Sequence, residues 1–437
     1  MARSDEFLAR FETLHPKLID LSLGRMERLL ARMDNPERRL PPVIHVAGTN
    51  GKGSTIAFMR AMLEASGAKV HVYTSPHLVR FHERIRLGAE GGGKLVPEEA
   101  LVEAFERIEA LNAGEPITFF EITTIVAIDL FMRHPADYLL LEVGLGGKFD
   151  TTNVIEKPLA SVITPVSMDH KEFLGDTITK IAGEKAGIIK QGCPVIVAPQ
   201  SAEAIEVCRR EARRKQAPLV IGGEDFQIHE EGGRLIFQAE DRLLDLPLPR
   251  LIGSHQFVNA ATAIATLLRA APERVDQRAL EAGLQNAEWP ARFQRLSGKL
   301  SGLAPVGSEI WLDGGHNEDG ARVIAETVAA LEEKSPRPLV LLMGTMARKD
   351  VAGILKPFVG LAQELLAVPI DAPHSRPPAD MAAAARGLGI PAACAGSLAE
   401  SLAFLSARKW PVPPRILIAG SLYLAGEVLA ADGNPPR

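Results

Sequence analysis

The sequence predicts an α/β protein of two domains: a P-loop-type, mostly parallel central sheet carrying a small antiparallel part, then a second α/β domain. Three observations carry this. The run Val43-Ile44-His45-Val46-Ala47 leads into Gly48-Thr49-Asn50-Gly51-Lys52-Gly53-Ser54-Thr55 and then into the helical apolar pattern Ile56 to Leu63, which reads as strand, phosphate loop and helix. Short β-branched runs keep alternating with helical patterns downstream. The alternation stops near Trp289-Pro290-Ala291-Arg292-Phe293-Gln294 and restarts beyond it, in a chain of 437 residues that is long for one core. The expected division is 1–294 and 295–437.

Glycines let the backbone approach a polyphosphate, the N–H groups that open a helix point at it, and Lys52 adds a positive charge. Ser54 or Thr55 offers a hydroxyl to a magnesium ion. The match to the common P-loop pattern is incomplete, since Val46 stands where its first glycine belongs and Gly53 follows the lysine. A plain glycine turn is the alternative, and it leaves unexplained why three glycines, a lysine and two hydroxyls converge on one helix start.

Bulk properties narrow the function classes. Charged residues make up 24% and hydrophobic ones 46%, with a formal net charge of -5 and a pI near 6.2, so neither nucleic acid nor an anionic membrane is expected as a partner. Cys193, Cys208 and Cys394 are too scattered for a disulfide framework or a CxxC metal site. The first residues lack an apolar signal core, and runs such as Ile122 to Met132 are short and interrupted by Asp129. A cytoplasmic monomer is the expectation.

In chain order, two helices flank Lys17-Leu18-Ile19-Asp20-Leu21-Ser22-Leu23-Gly24, with Pro16 breaking the first. Lys69 to Thr74 is the second strand, ending in Ser75-Pro76-His77-Leu78. Open α/β sheets place ligands beyond the carboxyl ends of strands, so Ser75 is either a phosphate or metal contact or an N-cap before Pro76. Gly88 to Gly93 reads as a turn, Pro97 to Asn112 as a long helix, and Thr118-Phe119-Phe120-Glu121 as the start of an apolar helix to Arg133. Tyr138 to Val143 reads as a buried parallel strand containing Glu142, a carboxylate that is costly to bury unless paired or metal-bound. A metal or substrate role is favoured over a structural salt bridge there.

Gly144-Leu145-Gly146-Gly147 and the polar loop Lys148 to Asn153 follow, then strand Leu159 to Thr164, which leads to Asp169 and His170. A lone histidine is more often a hydrogen-bonded loop residue, but this one lies beyond another strand end. A helix from Ile178, a strand at Val195-Ile196-Val197 and a hairpin around Glu231-Gly232-Gly233 come next. Gly253 to Asn259 enters an alanine-rich helix to Ala271. In the second domain, strands are expected at Ile310 to Leu312, Leu339 to Met343, Glu364 to Val368 and Arg415 to Ala419, with the loop Asp313-Gly314-Gly315-His316-Asn317 after the first. No internal repeat, heptad array or low-complexity tract is present.

Set side by side, these segments resemble the folylpolyglutamate synthase and dihydrofolate synthase family, within the Mur-type ATP-dependent amide ligases. GTNGKGS (Gly48 to Ser54), TSPHL (Thr74 to Leu78), LEVGLGG (Leu141 to Gly147), Asp169-His170, EKAGI (Glu184 to Ile188), His255-Gln256 with Asn259, WPARFQ (Trp289 to Gln294) and DGGHN (Asp313 to Asn317) carry the resemblance over almost the whole chain. It implies an ATP-binding central domain and a Rossmann-like carboxyl domain, with chemistry in the cleft between them. There ATP phosphorylates a carboxylate, and the amino group of L-glutamate attacks the acyl phosphate.

By the same resemblance, Asn50, Gly51, Lys52, Gly53 and Ser54 hold the nucleotide phosphates, with Asn259, Arg292 and Asp313 as further ATP contacts. Ser75, Glu142 and His170 are implied ligands of magnesium, in a site of two ions. Lys52, His170 and Lys185 are the implied catalytic residues, Lys185 in the segment whose lysine can be carbamylated. Dihydropteroate is expected near Leu23, Gly24, Arg25 and Met26, near Thr118, Phe119, Phe120 and Glu121, and near Phe149, Asp150 and Thr151. Phe119, Phe120 and Phe149 either stack on the aromatic acceptor or belong to the core.

Three features depart from the family pattern: Lys148 stands where arginine is common, Phe149 where leucine is common, and Gly344-Thr345-Met346-Ala347-Arg348-Lys349-Asp350 matches the family's GxxxxKD stretch only loosely. At Lys148 the charge is kept but not the bidentate geometry. The expected activity is a bifunctional one, adding glutamate to dihydropteroate and extending tetrahydrofolates. The rival readings are a Mur-type cell-wall amino-acid ligase and a P-loop switch ATPase that makes no bond.

Overall fold

The computed structural model describes residues 2–16, 20, 22–240 and 242–436. The chain divides into two compact units, one of residues 1–250 with 257–288, the other of 251–256 with 289–436. The segment 289–294, which the sequence reading leaves in the first region, packs with the second.

The first unit opens with helices α1 (Arg3–Glu12) and α2 (Gly24–Arg32). Part of the connection expected between them, Lys17 to Ile19 and Leu21, lies outside the described residues. Strand β1 (Val43–Ala47) and helix α3 (Lys52–Ala65) then bracket the glycine loop, followed by β2 (Val70–Tyr73), β3 (Ile85–Leu87), β4 (Lys94–Leu95), α4 (Glu98–Asn112), α5 (Phe119–Arg133) and β5 (Tyr138–Glu142). Next come β6 (Ala160–Ile163), α6 (Lys171–Leu174), α7 (Ile178–Ala186), β7 (Val195–Val197), α8 (Ala202–Arg214) and β8 (Leu219–Ile221). These eight strands form one sheet in the order β4-β3-β2-β5-β1-β6-β7-β8, parallel from β2 to β8 with β3 and β4 antiparallel at one edge. Strands β1, β2, β5 and β6 are buried along their full lengths, as central parallel strands covered by helices on both faces must be.

The hairpin read from the sequence is part of a three-stranded antiparallel sheet, β9 (Phe226–Glu231), β10 (Arg234–Ala239) and β11 (Arg242–Pro247). Its third strand is not predicted by the sequence, because Leu243-Leu244-Asp245-Leu246 shows no clean alternation. Helices α9 (Ser254–Ala270) and α10 (Gln277–Asn286) follow.

The second unit is a six-stranded sheet in the order β12 (Gln294–Arg295), β13 (Glu309–Leu312), β17 (Arg415–Ala419), β14 (Leu339–Met343), β15 (Ala362–Ala367) and β16 (Ala392–Cys394), parallel apart from β12. Helices α11 (Glu318–Lys334), α12 (Val351–Leu355), α13 (Pro378–Gly387), α14 (Leu398–Ser406) and α15 (Leu422–Asp432) complete it. Strand β16 carries no prediction from sequence, since Ala392-Ala393-Cys394 lacks the β-branched signal of a strand. Among the described residues no helix is long and apolar enough to cross a membrane.

Two features of the first unit fix what lies near its loops. Helix α5 starts at a capping box: Thr118 Oγ1 accepts the Glu121 N–H, and Glu121 Oε2 accepts the N–H and hydroxyl of Thr118, both at 2.8 Å. Helix α1 is locked down by aromatic packing, with Phe11 edge-on to Phe105 of α4 at 5.3 Å and Phe7 5.7 Å from the same ring. Phe11 is wholly buried, so Phe11→Ala is expected to destabilise this unit by about 3–5 kcal/mol, read as a lower denaturant midpoint.

Candidate active site

Four neighbouring parallel strands, β2, β5, β1 and β6, send their carboxyl ends to one edge of the sheet, each carrying a sequence-predicted residue there. Ser75 follows β2, Glu142 ends β5, the glycine loop follows β1, and Asp169-His170 closes the loop after β6. Register places Glu142 beside Val46 and Ile163 beside Ala47, so the buried carboxylate is one strand from the start of the glycine loop.

The loop's shape explains its glycines. Gly51, at φ +86°, is the left-handed cap from which α3 starts, and a side chain there would meet Asn259 Oδ1 at 2.3 Å. The structure therefore seats Asn259 directly over Gly51. Gly48, at φ +152°, would drive a Cβ to 1.8 Å from Thr164 Oγ1. The loop is also tied to the segment after β6: the Thr49 and Asn50 N–H groups donate to Pro165 O at 3.0 and 3.2 Å. Thr49 Oγ1 donates to Ser167 O and accepts the Ser167 N–H, while Asn50 Nδ2 lies 3.5 Å from Ser167 Oγ.

Two lysines converge on the Gly48 carbonyl. Lys52 Nζ donates to Gly48 O at 3.2 Å and Thr49 O at 3.3 Å, and stands 3.8 Å from Glu142 Oε1. Lys185 Nζ, from α7, donates to the same Gly48 O at 3.0 Å. Burial, then repulsion from Lys52, pushes the Lys185 ammonium down to about 7, against the pull of Asp169, Asp150 and Glu184. A lysine with that value carries a substantial neutral amine fraction at neutral pH.

Glu142 is 5% exposed, and its other oxygen, Oε2, accepts the Ser75 N–H at 3.4 Å. His170 lies at φ +49° at the start of α6, its N–H on Asp169 Oδ1 at 2.8 Å. Among the described residues no three His, Cys, Asp or Glu side chains cluster as a self-sufficient metal centre. The donors at this edge are a carboxylate, hydroxyls and an imidazole. One buried hydroxyl, Thr55 Oγ1, has no hydrogen-bond partner among the described residues. That set fits a hard dication taking its remaining ligands from phosphate oxygens and water, as Mg2+ does.

The three segments read as the acceptor site differ in what they offer. Arg25, beside Leu23 and Gly24 at the start of α2, donates from Nε to Glu121 Oε2 and from Nη1 to Asp20 Oδ2, both at 2.9 Å, while Met26 is core. The structure thus joins the Arg25 and Glu121 segments through an ion pair. Phe119 and Phe120 are half-buried, Phe119 edge-on to Phe81 and Phe120 6.3 Å from Tyr73. Phe149 is 41% exposed, with the Lys148 ammonium 5.0 Å from its ring. Thr151 Oγ1 lies 2.9 Å from Thr124 Oγ1 of α5, which binds the third segment to the second. The Asp150 carboxylate accepts the N–H groups of Leu145 and Thr152 and the Thr152 hydroxyl. Burial raises its affinity for a proton, and those donors oppose the rise.

The second unit holds its own cluster. Asp313, at the end of β13, accepts the Phe293 N–H at 2.8 Å and the Gly315 N–H at 2.7 Å. Burial pushes its carboxyl upward against the Arg292 charge. Arg292 Nη1 donates to Ala291 O at 2.8 Å, between Ala291 and Phe293 at φ +54° and +43°. Non-glycine residues adopt such angles where surrounding contacts impose them. Stacking of Phe293 on Trp311 at 4.7 Å is one such contact. His255, also in this unit, is held near 4 by burial and then by Arg292 and Arg322.

His45, Tyr73, Thr124 and Thr152, outside the site residues predicted from sequence, hold the first unit's loops by buried hydrogen bonds. The signal was available for His45: like Glu142, it is a polar residue in a buried strand. Nothing in the spacing marks the others, because the contacts that tie one element to another, Tyr73 to Thr124, Thr124 to Thr151 and Thr152 to His45, lie far apart in sequence.

Comparison with known proteins identifies the family. Residues 46–267 match the Mur ligase middle domain, and residues 299–431 match the dihydrofolate synthetase C-terminal domain. The dihydrofolate synthase/folylpolyglutamate synthase of Bacillus subtilis is 38% identical over 372 residues, 78% of this chain and 83% of its own. The folylpolyglutamate synthase of Lacticaseibacillus casei is 35% identical over 421 residues, 92% of each chain. The structure of E. coli FolC in complex with DHPP and ADP superposes with a TM-score of 0.86 at 31% identity, covering 98% of this chain and 97% of that one. The chain therefore belongs to the dihydrofolate synthase/folylpolyglutamate synthase family of ligases built on a Mur ligase middle domain.

Proposed function

We propose that this protein joins L-glutamate to the carboxylate of dihydropteroate, and to the γ-carboxylate of tetrahydrofolates, at the expense of ATP. The observation that carries the reading is the convergence of Lys52, Lys185, Glu142 and the start of α3 on one glycine loop at the carboxyl edge of the sheet. Transfer of the γ-phosphoryl group to the acceptor carboxylate gives an acyl phosphate and ADP. The glutamate amine then attacks the carbonyl carbon, phosphate leaves with the bonding electrons, and the amine loses a proton.

Both reactants of the first step are anions, so cationic side chains are needed to offset their repulsion and the charge developing on the transferred group. Lys52 and the N–H groups opening α3 take the phosphates, with Asn50, Gly51, Gly53 and Ser54 shaping the loop. Asn259, Arg292 and Asp313 are assigned to the nucleotide. Ser75, Glu142 and His170 are assigned to magnesium, in a site of two ions. Bound magnesium supplies charge neutralisation at the phosphates. Phe119, Phe120 and Phe149 are assigned to the acceptor's rings, with Arg25, Glu121, Asp150 and Thr151 framing them. Free thiols at Cys193, Cys208 and Cys394 support a cytoplasmic setting, and a monomer is the proposed working state.

The deciding assay measures phosphate released from MgATP and L-glutamate with dihydropteroate, with tetrahydrofolate and with no acceptor, identifying products by mass. One glutamyl unit gained on both acceptors is expected. Gain on dihydropteroate alone reduces the activity to dihydrofolate synthase, and turnover independent of acceptor and glutamate returns a switch ATPase. Lys52→Ala, Glu142→Ala and His170→Ala are each expected to lower kcat by about 100-fold or more with the fold intact by circular dichroism. Full activity in any one, with magnesium limiting, removes that residue from the mechanism.

Lys185 is proposed to be carbamylated: its neutral amine adds to the carbon of CO2 and releases one proton, turning a cation into an anion beside the glycine loop. Activity at pH 7 should fall on removal of CO2 and return with bicarbonate, and Lys185→Met should be inactive but rescued by short carboxylic acids. Normal activity in Lys185→Met without such additives would count against it. The unmodified lysine also has a stability signature. Its folded value, about 7, lies below the roughly 10.4 of an unfolded lysine. Its burial therefore penalises folding in full below pH 7, and the penalty is relieved as pH rises from 7 toward 10.

A further inference from the structure

We propose that His45 is a positioning residue for the acceptor-binding loop, acting through the Thr152 hydroxyl on Asp150. The inference rests on the functional reading above and adds a residue that faces neither nucleotide nor metal in that reading. His45 lies in the middle of β1, wholly buried, two residues before the strand ends. Its Nε2 is 2.8 Å from Thr152 Oγ1, and that hydroxyl donates its only proton to Asp150 Oδ1 at 2.5 Å. Thr152 Oγ1 must then accept from His45, which assigns the proton to Nε2 and leaves Nδ1 bare. Nδ1 is buried and has no partner among the described residues, consistent with that tautomer and with a neutral ring.

Beyond Thr152 the chain of bonds reaches backbone. Asp150 Oδ1 also accepts the Thr152 N–H at 3.0 Å, and Oδ2 accepts the Leu145 N–H at 2.8 Å. One continuous path therefore runs from the strand that feeds the glycine loop to the Gly144-Leu145 turn after Glu142. A second path meets it one residue away: Thr124 Oγ1 donates to Phe120 O at 2.7 Å and lies 2.9 Å from both Tyr73 Oη and Thr151 Oγ1. With its proton spent on Phe120 O, Thr124 accepts from both. The loop carrying Phe149, Asp150 and Thr151 is thus registered against β1 on one side and against the start of α5 on the other. Removing the first path frees the loop from β1 while leaving the glycine loop's own ties to Pro165 and Ser167 in place.

The test separates acceptor from nucleotide. Thr152→Val and His45→Leu are each expected to raise the KM for dihydropteroate about tenfold, with the KM for MgATP unchanged within about twofold. Thr152→Ser and His45→Gln keep a donor at each position and are expected to restore the acceptor KM. The double variant His45→Leu/Thr152→Val is expected to be no worse than either single one, because both break the same path. Equal rises in both KM values, failure of the conservative variants to rescue, or additive losses would overturn the proposal. If Thr152→Val does not fold, Thr152→Cys, with its weaker donor, takes its place and should raise the acceptor KM about threefold; an unchanged acceptor KM overturns the proposal equally. The unaltered enzyme is the control. Absence of acceptor-dependent turnover there overturns the functional reading and the inference together, whereas an active enzyme with unmoved variants overturns the inference alone.

Discussion

The first unit is organised around the Gly48 carbonyl and the loop it begins. Lys52 and Lys185, from two different helices, both donate to that one oxygen. Two ammonium groups this close repel each other, and burial raises the penalty for charging the second. Either one of them gives up its proton or an anion balances them. Glu142, 3.8 Å from Lys52, is one counter-charge, and a polyphosphate would be a larger one. The loop is thus an electrostatic arrangement suited to an anion. This is the physical reason to read it as a phosphate site and not as a turn.

The same constraint links the neighbouring loops. Because β2, β5, β1 and β6 are parallel and adjacent, whatever follows each strand is delivered to one edge. That is how Ser75, Glu142 and His170, separated by up to about a hundred residues of sequence, come to share a location. Hydrogen bonds then refine what topology only approximates: Pro165 and Ser167 hold the glycine loop, and the Asp150 carboxylate clasps the turn after Glu142. An acyl phosphate is readily hydrolysed, so loops tied in place by hydrogen bonds suit the proposed chemistry.

Much of the fold was legible because its signals are local. A β-branched run with glycines after it, as at Val43 to Gly53, or a Thr-x-x-Glu box opening an apolar run, as at Thr118, encodes an element in a few consecutive residues. Strands without such signals are not legible in the sequence, β16 with its Ala-Ala-Cys and β11 with its run of leucines. Their strand state depends on pairing with β15 and β10.

For the site, the sequence by itself determined chemistry: which carboxylate is anomalous in an apolar strand, which lysine opens a helix, and, through the ordered motifs, which ligase family the chain belongs to. Only the tertiary structure decided who meets whom. Asn259 over Gly51, Lys185 on Gly48, and the His45–Thr152–Asp150 path each join residues more than one hundred positions apart, except for the final step within a loop. Hydrogen bonds of this kind are set by distances of a fraction of an ångström between elements. Those distances follow from how sheets and helices pack, and no pattern in the residue order carries them.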